Sequence, residues 1–291
     1  MKILFIINPV SGSGAGNKLP KVIAGMPEYK DVDYQIVFTE QVGHAAILAK
    51  EASVDGNYTH IIAVGGDGTV NEVGTTLYGS NSAFGVIPVG SGNGFARHVK
   101  YSLSMKKALR QMLSTHYSYI DMVEMNGHFF LNVSGVGFDA EIAHTFGKFK
   151  MRGVISYICA ALKVLFFYKE KEYDITYDGK TIRKKGFILS FANSSQYGNN
   201  VHIAPHASLK NGMVSICIMR CPPFFGIGFL LKSLLRADLS QLKYYEEIQC
   251  KEAVIDGSIR NIHVDGEPFT ANEPIRLKVH AGGIKIISLR T

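Results

Sequence analysis

Apolar runs of strand length alternate with helical stretches along the first part of the chain. Two of the stretches between the runs, His44–Ala52 and Val70–Leu77, are predicted helices. This alternation is typical of a parallel, doubly wound α/β sheet, which binds ligands at the carboxyl ends of its strands. The predicted strands are Lys2–Ile7, Tyr34–Thr39, Ile61–Val64 and Phe84–Ile87.

The pattern changes after about Tyr119 to short strands joined by tight turns. Asn126-Gly127 and Asp178-Gly179 are typical of two-residue hairpins. We therefore predict an α/β region over 1–123 and an antiparallel β-sandwich over 124–291, with apolar helices inserted at Val154–Tyr168 and Phe224–Arg236. The predicted strands are Ile120–Met125, His128–Val133, Tyr173–Tyr177, Thr181–Ala192, Val214–Met219, Glu247–Ala253, Asn261–Val264 and Ile275–His280.

Composition narrows the class of protein. Of the 291 residues, 46% are hydrophobic and 19% are charged, which indicates a globular protein with a large core. The net charge of +7 indicates an anionic partner, but the basic residues are too dispersed for a nucleic-acid footprint. The four cysteines lack zinc-ligand spacing, and the first apolar run is too short for a signal peptide. A cytoplasmic protein with reduced thiols is expected.

The third predicted strand runs directly into Gly65-Gly66-Asp67-Gly68-Thr69 and then into a helix. A strand that turns sharply into a helix brings backbone N–H groups and the positive end of the helix dipole to one point, where a polyphosphate binds. A carboxylate at that point, here Asp67, is suited to hold Mg²⁺ or to accept a proton from an attacking hydroxyl.

Two further glycine-rich segments, 8–16 and 88–97, follow the first and fourth predicted strands. Three such loops at one sheet edge predict a single nucleotide site. Neither segment has the spacing of a P-loop or of a dinucleotide-binding fingerprint, so neither of those protein classes is supported.

Polar residues are concentrated in three loops of the second region. Asn132 and Asp139 bound the first of these loops and Asn193 begins the second, and all three side chains are predicted to contact a substrate. The third loop places Asp265 and Glu267 on either side of a glycine. Local sequence favours an ordinary hairpin turn there, and the functional alternative is a general base beside a metal ligand.

These motifs resemble those of the diacylglycerol kinase and sphingosine kinase superfamily of lipid kinases, which is more distantly similar to NAD kinases and phosphofructokinases. The resemblance extends through nearly the whole chain. In chain order, the matching motifs are Asn8-Pro9-x-Ser11-Gly12, Thr39-Glu40 with Gly43-His44-Ala45, Gly65–Asn71, Pro88-x-Gly90-Ser91-Gly92-Asn93, Gly135-x-Gly137-Phe138-Asp139-Ala140, Tyr197-Gly198 and Val264-Asp265-Gly266-Glu267.

The resemblance implies an ATP- and Mg²⁺-dependent kinase that phosphorylates a lipid hydroxyl, with its active site in a cleft between an α/β nucleotide domain and a β-sandwich. Either Asp265 or Asp67 is the implied general base, and Asp67 and Glu267 are the implied ligands of the catalytic Mg²⁺. The implied nucleotide-binding residues are Asn8, Pro9, Ser11, Gly12, Thr39, Gly65, Gly66, Asp67, Gly68, Thr69, Asn71, Glu72, Ser91, Gly92 and Asn93.

The chain departs from the family pattern at two positions. Gly94 stands where the family often has aspartate, which leaves the diacylglycerol and sphingoid-base branches open. Asn211 stands where soluble bacterial members have an aspartate that serves a structural Mg²⁺, and a neutral amide is a poor ligand for that ion. We therefore expect this structural site to be empty.

The two apolar helices, together with the net charge, predict peripheral contact with an anionic membrane, where the lipid substrate would be reached. Packing of both helices on the sandwich is the structural alternative. No nucleic-acid partner is expected, and a homodimer is left open. Two other functions remain alternatives: a kinase of a soluble hydroxyl substrate, and a catalytically silent nucleotide- or lipid-binding module.

Overall fold

A computed structural model of the chain describes residues 1–54, 56–137, 140–141, 169–220, 244–259, 261–271 and 274–289. The predicted helices at 154–168 and 224–236, and the predicted substrate residue Asp139, lie outside these ranges. The chain forms two compact units, one comprising Met1–Met122 and Ala281–Thr291, the other Val123–His280. Within the described ranges, no helix is both long and apolar enough to cross a membrane.

The first unit contains a parallel sheet, as predicted. Its strands are β1 (Lys2–Ile7), β2 (Asp33–Phe38), β3 (His60–Gly65) and β4 (Ala83–Pro88), in the order β2-β1-β3-β4. All residues of β3 and β4 are buried, which explains why both strands are almost continuous apolar runs.

The α-helices of this unit are α1 (Leu19–Ala24), α2 (His44–Val54), α3 (Asp67–Thr76), α4 (Gly94–His98) and α5 (Met105–Met112), and Ser11–Lys18 and Pro27–Tyr29 form 3₁₀ helices. The predicted start of α3 at Val70 is wrong. Gly66 has an extended backbone and acts as the N-cap, and its carbonyl accepts a 3.0 Å hydrogen bond from the Val70 N–H. The phrase Asp67-Gly68-Thr69 therefore forms the first turn of the helix.

The second unit is an antiparallel sandwich, as predicted. The strands that follow β4 along the chain are β5 (Tyr117–Met125), β6 (His128–Phe130), β7 (Val133–Gly137), β8 (Lys171–Tyr177), β9 (Lys180–Gly186), β10 (Ile188–Ala192), β11 (Gln196–Gly198), β12 (Val201–His202), β13 (Val214–Met219), β14 (Tyr245–Cys250), β15 (Glu252–Gly257), β16 (Asn261–Val264), β17 (Glu267–Thr270) and β18 (Ile275–Ile287). One sheet has the order β14-β13-β10-β7-β16-β17, and the other contains β18-β15-β8-β9 together with β5 and β6. Side chains from both sheets share one core, which includes Phe191 and Ile216 from the first sheet and Ile175 and Ile255 from the second.

Three strands predicted as continuous are each divided in two. The runs His128–Val133, Thr181–Ala192 and Glu247–Ala253 become β6 and β7, β9 and β10, and β14 and β15. In each case the chain leaves one sheet of the sandwich and enters the other. Both strands of each pair face the shared core, so the apolar pattern continues through the crossing. The sequence pattern alone therefore does not show where the chain changes sheets.

The last strand, β18, is longer than the predicted Ile275–His280. Beyond His280 it continues to Ile287, and Ile286 pairs in parallel with Phe84 of β4. The C-terminal segment Ala281–Thr291 therefore belongs to the first unit, whereas the predicted sandwich comprised all of 124–291. Gly282, which has a positive φ of 61°, lies two residues beyond His280, the predicted end of this strand.

Candidate functional site

The glycine-rich loops after β1, β3 and β4 pack directly on one another. At Gly12, which has φ 57°, a Cβ atom would lie 1.7 Å from the Val89 carbonyl oxygen. At Gly90, a Cβ atom would lie 2.5 Å from the Cα of Gly66. Only glycine permits these two approaches, so the glycines bring the three loops together.

Hydrogen bonds also join these loops. The Asn8 N–H donates to the Val64 carbonyl and the Val89 N–H donates to the Gly65 carbonyl, each at 3.0 Å. The Asn8 side-chain amide donates to Thr69 Oγ1 at 3.2 Å. The prediction that the three loops meet at one edge of the sheet is confirmed.

Asp67, in the first turn of α3, contacts the loop that follows β4. Its two carboxylate oxygens accept hydrogen bonds from the Asn93 and Gly94 N–H groups, each at 2.9 Å. Burial raises the pKa of the Asp67 carboxyl above its ordinary value of 3.8, although the N–H donors act in the opposite direction. The N-cap residue Gly66 has no side chain that could cap the start of α3. The first N–H groups of this helix are therefore suited to an anion.

Three other residues predicted to bind nucleotide differ from Asp67 in their exposure and in their hydrogen bonds. Thr39 is buried, and its N–H donates to the Ile7 carbonyl at 2.8 Å, while Ser91 is exposed. The carboxylate of Glu72 accepts hydrogen bonds from the Gly43 N–H at 3.0 Å and the Ala45 N–H at 3.1 Å, at the start of α2. Glu72 therefore caps the start of α2, a role that its position in the glycine-rich motif did not predict.

The three polar loops of the second region come together around Asn132. The Asn132 carbonyl accepts hydrogen bonds from the Asn193 N–H at 3.0 Å and the Ser194 N–H at 3.1 Å. The Asn193 side-chain amide donates to the Leu131 carbonyl at 3.1 Å, and the Ser194 hydroxyl donates to Asn132 Oδ1. Asn132, Asn193 and Ser194 are all buried, so this network is shielded from water.

Asp265 belongs to the same network. Its carboxylate oxygens accept hydrogen bonds from the Leu131 and Asn132 N–H groups, both at 3.0 Å. Asp265 and Gly266 also form a hairpin turn with φ of 46° and 89°, while Val264 pairs with the exposed Glu267. The hairpin alternative is therefore right about the backbone, and the Asp265 carboxylate nevertheless points into a polar cluster.

Two residues of this cluster were not singled out by the sequence analysis. The Asp265 N–H donates to Ser134 Oγ at 3.4 Å, and the Gly266 N–H donates to His263 Nδ1 at 3.3 Å. Ser134 and His263 are both buried. A polar residue at an inward position of a short strand was the signal that could have identified each of them.

The chemistry of the Asp67 carboxylate fits a Mg²⁺ ion that is bound mainly by phosphates. In the part of the chain that the structure describes, no group of three or more histidine, cysteine or acidic side chains could hold a metal. Mg²⁺ in kinases usually takes one or two carboxylates together with substrate phosphates, and Asp67 suits that arrangement. The side-chain oxygen of Asn211 accepts a hydrogen bond from the Met213 N–H at 3.1 Å, within its own turn.

The α/β region and the sandwich region each match a known protein family. Residues 2–125 match the family described as the diacylglycerol kinase catalytic domain, and residues 132–288 match the YegS C-terminal NAD kinase beta sandwich-like domain. A diacylglycerol kinase of Bacillus subtilis (strain 168) is 30% identical over 220 residues, covering 74% of this chain and 72% of the relative. The chain belongs to the diacylglycerol kinase family. It is therefore an enzyme of the lipid kinase class, as the motifs predicted.

Other members of the diacylglycerol kinase family cover more of the chain. A diacylglycerol kinase of Staphylococcus carnosus (strain TM300) is 26% identical over 270 residues, covering 90% of this chain and 87% of the relative. The crystal structure of a diacylglycerol kinase from Bacillus anthracis str. Sterne superposes with a TM-score of 0.73 at 20% identity, covering 99% of this chain and 97% of that one. At that identity the superposition shows the fold alone, and it confirms the predicted combination of an α/β region with a β-sandwich.

Proposed function

We propose that the protein transfers the γ-phosphate of ATP, in the presence of Mg²⁺, to the free hydroxyl of a diacylglycerol. The observation that carries the proposal is the convergence of three glycine-rich loops at the start of α3, where the N-cap is a glycine. Backbone N–H groups and a helix dipole at one point favour a polyphosphate. The names of the relatives in Bacillus and Staphylococcus support diacylglycerol over a sphingoid base.

The nucleotide is assigned to the loops of the first unit. We expect the phosphates to contact the N–H groups of Asp67, Gly68 and Thr69, with Asn8 and Ser91 at the margins of the site. Asp67 is the proposed protein ligand of Mg²⁺, with Glu267 as a second candidate. When bound, the ion neutralises charge on the β- and γ-phosphates during transfer.

Asp265 is the proposed general base. Phosphoryl transfer requires a group that accepts the proton of the attacking hydroxyl, and a carboxylate can do so while keeping its other hydrogen bonds, because each oxygen has two lone pairs. The Leu131 and Asn132 N–H groups fix the orientation of this carboxylate. Asp139 is proposed to contact the lipid head group, and the buried Asn132 and Asn193 are proposed to position the loops around it.

We also propose that the lipid is reached at a membrane surface from the cytoplasmic side. The support is the net charge of +7, which favours contact with anionic lipids. Membrane binding is expected to weaken as the ionic strength rises, because salt screens this attraction. Sedimentation with anionic and neutral vesicles at low and high salt measures it, and equal binding to both vesicle types contradicts the electrostatic part of the proposal.

The first test is phosphate transfer from labelled ATP to mixed micelles containing diacylglycerol, monoacylglycerol, ceramide or a sphingoid base, one at a time. We expect labelled product from diacylglycerol and its loss in Asp265→Asn. Asp178→Asn is the matched control, because Asp178 and Gly179 form a turn with φ of 48° and 73° on an exposed hairpin. No product from any lipid would contradict the proposed function.

The choice between the two candidate bases follows from nucleotide affinity measured on the same variants. Asp265→Asn is expected to lose turnover while binding ATP normally. Asp67→Asn is expected to weaken binding of Mg²⁺-ATP. If Asp265→Asn retains turnover and Asp67→Asn loses it without any change in nucleotide affinity, then Asp67 is the base.

A further inference from the structure

The hairpin turn that carries Asp265 donates hydrogen bonds to side chains, which distinguishes it from a described turn of the same shape at Asp178-Gly179. Asp265-Gly266 and Asp178-Gly179 have the same two residue types and closely similar positive φ angles. Both match the type I′ turn that two-residue hairpins favour. Tyr177 and Lys180 flank one turn as Val264 and Glu267 flank the other. A difference between the two turns therefore arises from their surroundings.

Side chains satisfy both N–H groups of the Asp265 turn. His263 Nδ1 accepts the hydrogen bond of the Gly266 N–H at 3.3 Å, and Ser134 Oγ accepts that of the Asp265 N–H at 3.4 Å. Among the described residues, no side chain accepts a hydrogen bond from the N–H of Asp178 or Gly179.

His263 is placed for this contact by its strand. It pairs with Gly135 of β7 on one side and with Pro268 of β17 on the other, and 4% of its surface is exposed. In this contact Nδ1 accepts the hydrogen bond through the lone pair of a ring nitrogen. The ring therefore acts as a fixed acceptor three residues before Gly266.

We infer that His263 is a positioning residue for Asp265, an inference that rests on the proposed function. The Asp265 carboxylate is held at 3.0 Å from two backbone N–H groups, while the backbone of its own turn is held by His263 and Ser134. Without the His263 contact, the Gly266 end of the turn is free to shift, and the carboxylate shifts with it. A displacement of about 1 Å at a reacting group can cost about a hundredfold in rate.

Two variants of His263 separate positioning from simple burial. His263→Asn places a side-chain oxygen the same number of bonds from Cα as Nδ1, so the acceptor is kept. His263→Leu fills part of the same space without an acceptor. We expect kcat to fall about tenfold to a hundredfold in the leucine variant, with KM and ATP affinity unchanged, and to stay close to the wild-type value in the asparagine variant.

Amide hydrogen exchange supplies a readout that does not depend on activity. The Gly266 N–H is expected to exchange about fivefold to tenfold faster in His263→Leu than in the wild type, and to remain protected in His263→Asn. The Gly179 N–H, in the matched turn, is the internal reference and should exchange equally fast in all three proteins. Thermal unfolding of each variant confirms that the assays are made on folded protein.

The outcomes are distinguishable. A folded His263→Leu variant with wild-type kcat, or equal losses of kcat in both variants, overturns the positioning role. Faster exchange at Gly266 in the leucine variant, together with loss of kcat there and rescue by asparagine, supports it. A wild-type protein that phosphorylates no lipid overturns the proposed function, even where the exchange pattern at Gly266 is as expected.

Discussion

At the scale of single residues, Gly12 shows how closely the nucleotide loops are fitted. Its positive φ is accessible to alanine only at a cost of about 1–2 kcal/mol, and the Val89 carbonyl oxygen occupies the place of a Cβ atom. We expect Gly12→Ala to lower the free energy of unfolding by more than this strain alone and to weaken ATP binding at least about tenfold, which corresponds to a loss of about 1.4 kcal/mol or more of phosphate contact.

Gly79→Ala is the control for Gly12→Ala. Gly79 also has a positive φ, of 73°, and a Cβ atom there would meet nothing within 4 Å. Chemical denaturation and ATP titration of both variants make the comparison. Equal losses of stability, with ATP affinity retained in both, would show that the contact of Gly12 with Val89 is unimportant.

Asp67 gives a second prediction at this scale, concerning pH. Its pKa is raised in the folded protein, so between 3.8 and that raised pKa the folded state binds more protons than the unfolded state. The contribution of Asp67 to stability is therefore fully present below pH 3.8 and is lost as the pH rises through the folded-state pKa. The free energy of unfolding of the wild type, relative to Asp67→Asn, is expected to decrease over this window.

Chemical denaturation of the wild type and Asp67→Asn at a series of pH values measures that difference. Both proteins share every other titrating group, so the difference isolates Asp67. A relative stability of the wild type that increases with pH over the same window would mean that the N–H groups of Asn93 and Gly94 outweigh burial.

At the scale of secondary-structure elements, Glu72 joins two helices. It lies on α3, and its carboxylate accepts hydrogen bonds from two N–H groups at the start of α2. A hydrogen bond to a charged group contributes about 1.5–3 kcal/mol, so we expect Glu72→Ala to lower the free energy of unfolding by that order. ATP affinity is expected to change little.

Glu51→Ala is the control for Glu72→Ala, because Glu51 is an exposed acidic residue of α2. A surface substitution of this kind usually changes stability by less than about 0.5 kcal/mol. Denaturation curves and ATP titrations of both variants test the cap. A large loss of ATP affinity in Glu72→Ala with normal stability would favour the nucleotide contact that the motif implies.

At the scale of the whole molecule, β18 makes the N-terminal unit depend on the C-terminal end of the chain. Ile284, Ile286 and Ile287 are almost completely buried in the first unit. Burial of three such side chains contributes roughly 6 kcal/mol, which is comparable to the net stability of a domain. We expect removal of residues 281–291 to unfold the unit that contains Met1–Met122.

Limited proteolysis with mass spectrometry locates the unit that unfolds. Cleavage in the truncated protein is expected to concentrate within residues 1–122. A shorter truncation, which removes only the residues after Leu289, keeps the whole of β18 and is the control. Equal resistance of both truncated proteins to the protease would show that the first unit folds without its last strand.

Local chemistry was sufficient to predict much of this molecule. The bounds of β1, β13 and β16 agree with the predicted Lys2–Ile7, Val214–Met219 and Asn261–Val264, because a buried strand is a short apolar run between turn residues. The turns at Asn126-Gly127 and Asp178-Gly179 have the positive φ angles that their sequences predict. The glycine-rich loops could also be predicted from local sequence, because each one directly follows an apolar strand.

The contacts between distant segments were decided only by the tertiary structure. Periodicity could not show where the chain crosses between the sheets of the sandwich, because both sheets face one core. Nor could it show that Glu72 caps α2, or that Asp265 accepts hydrogen bonds from Leu131 and Asn132, far away in the sequence. Sequence determines the local preferences of the backbone, whereas the partner of a buried polar group depends on which segments the fold brings together.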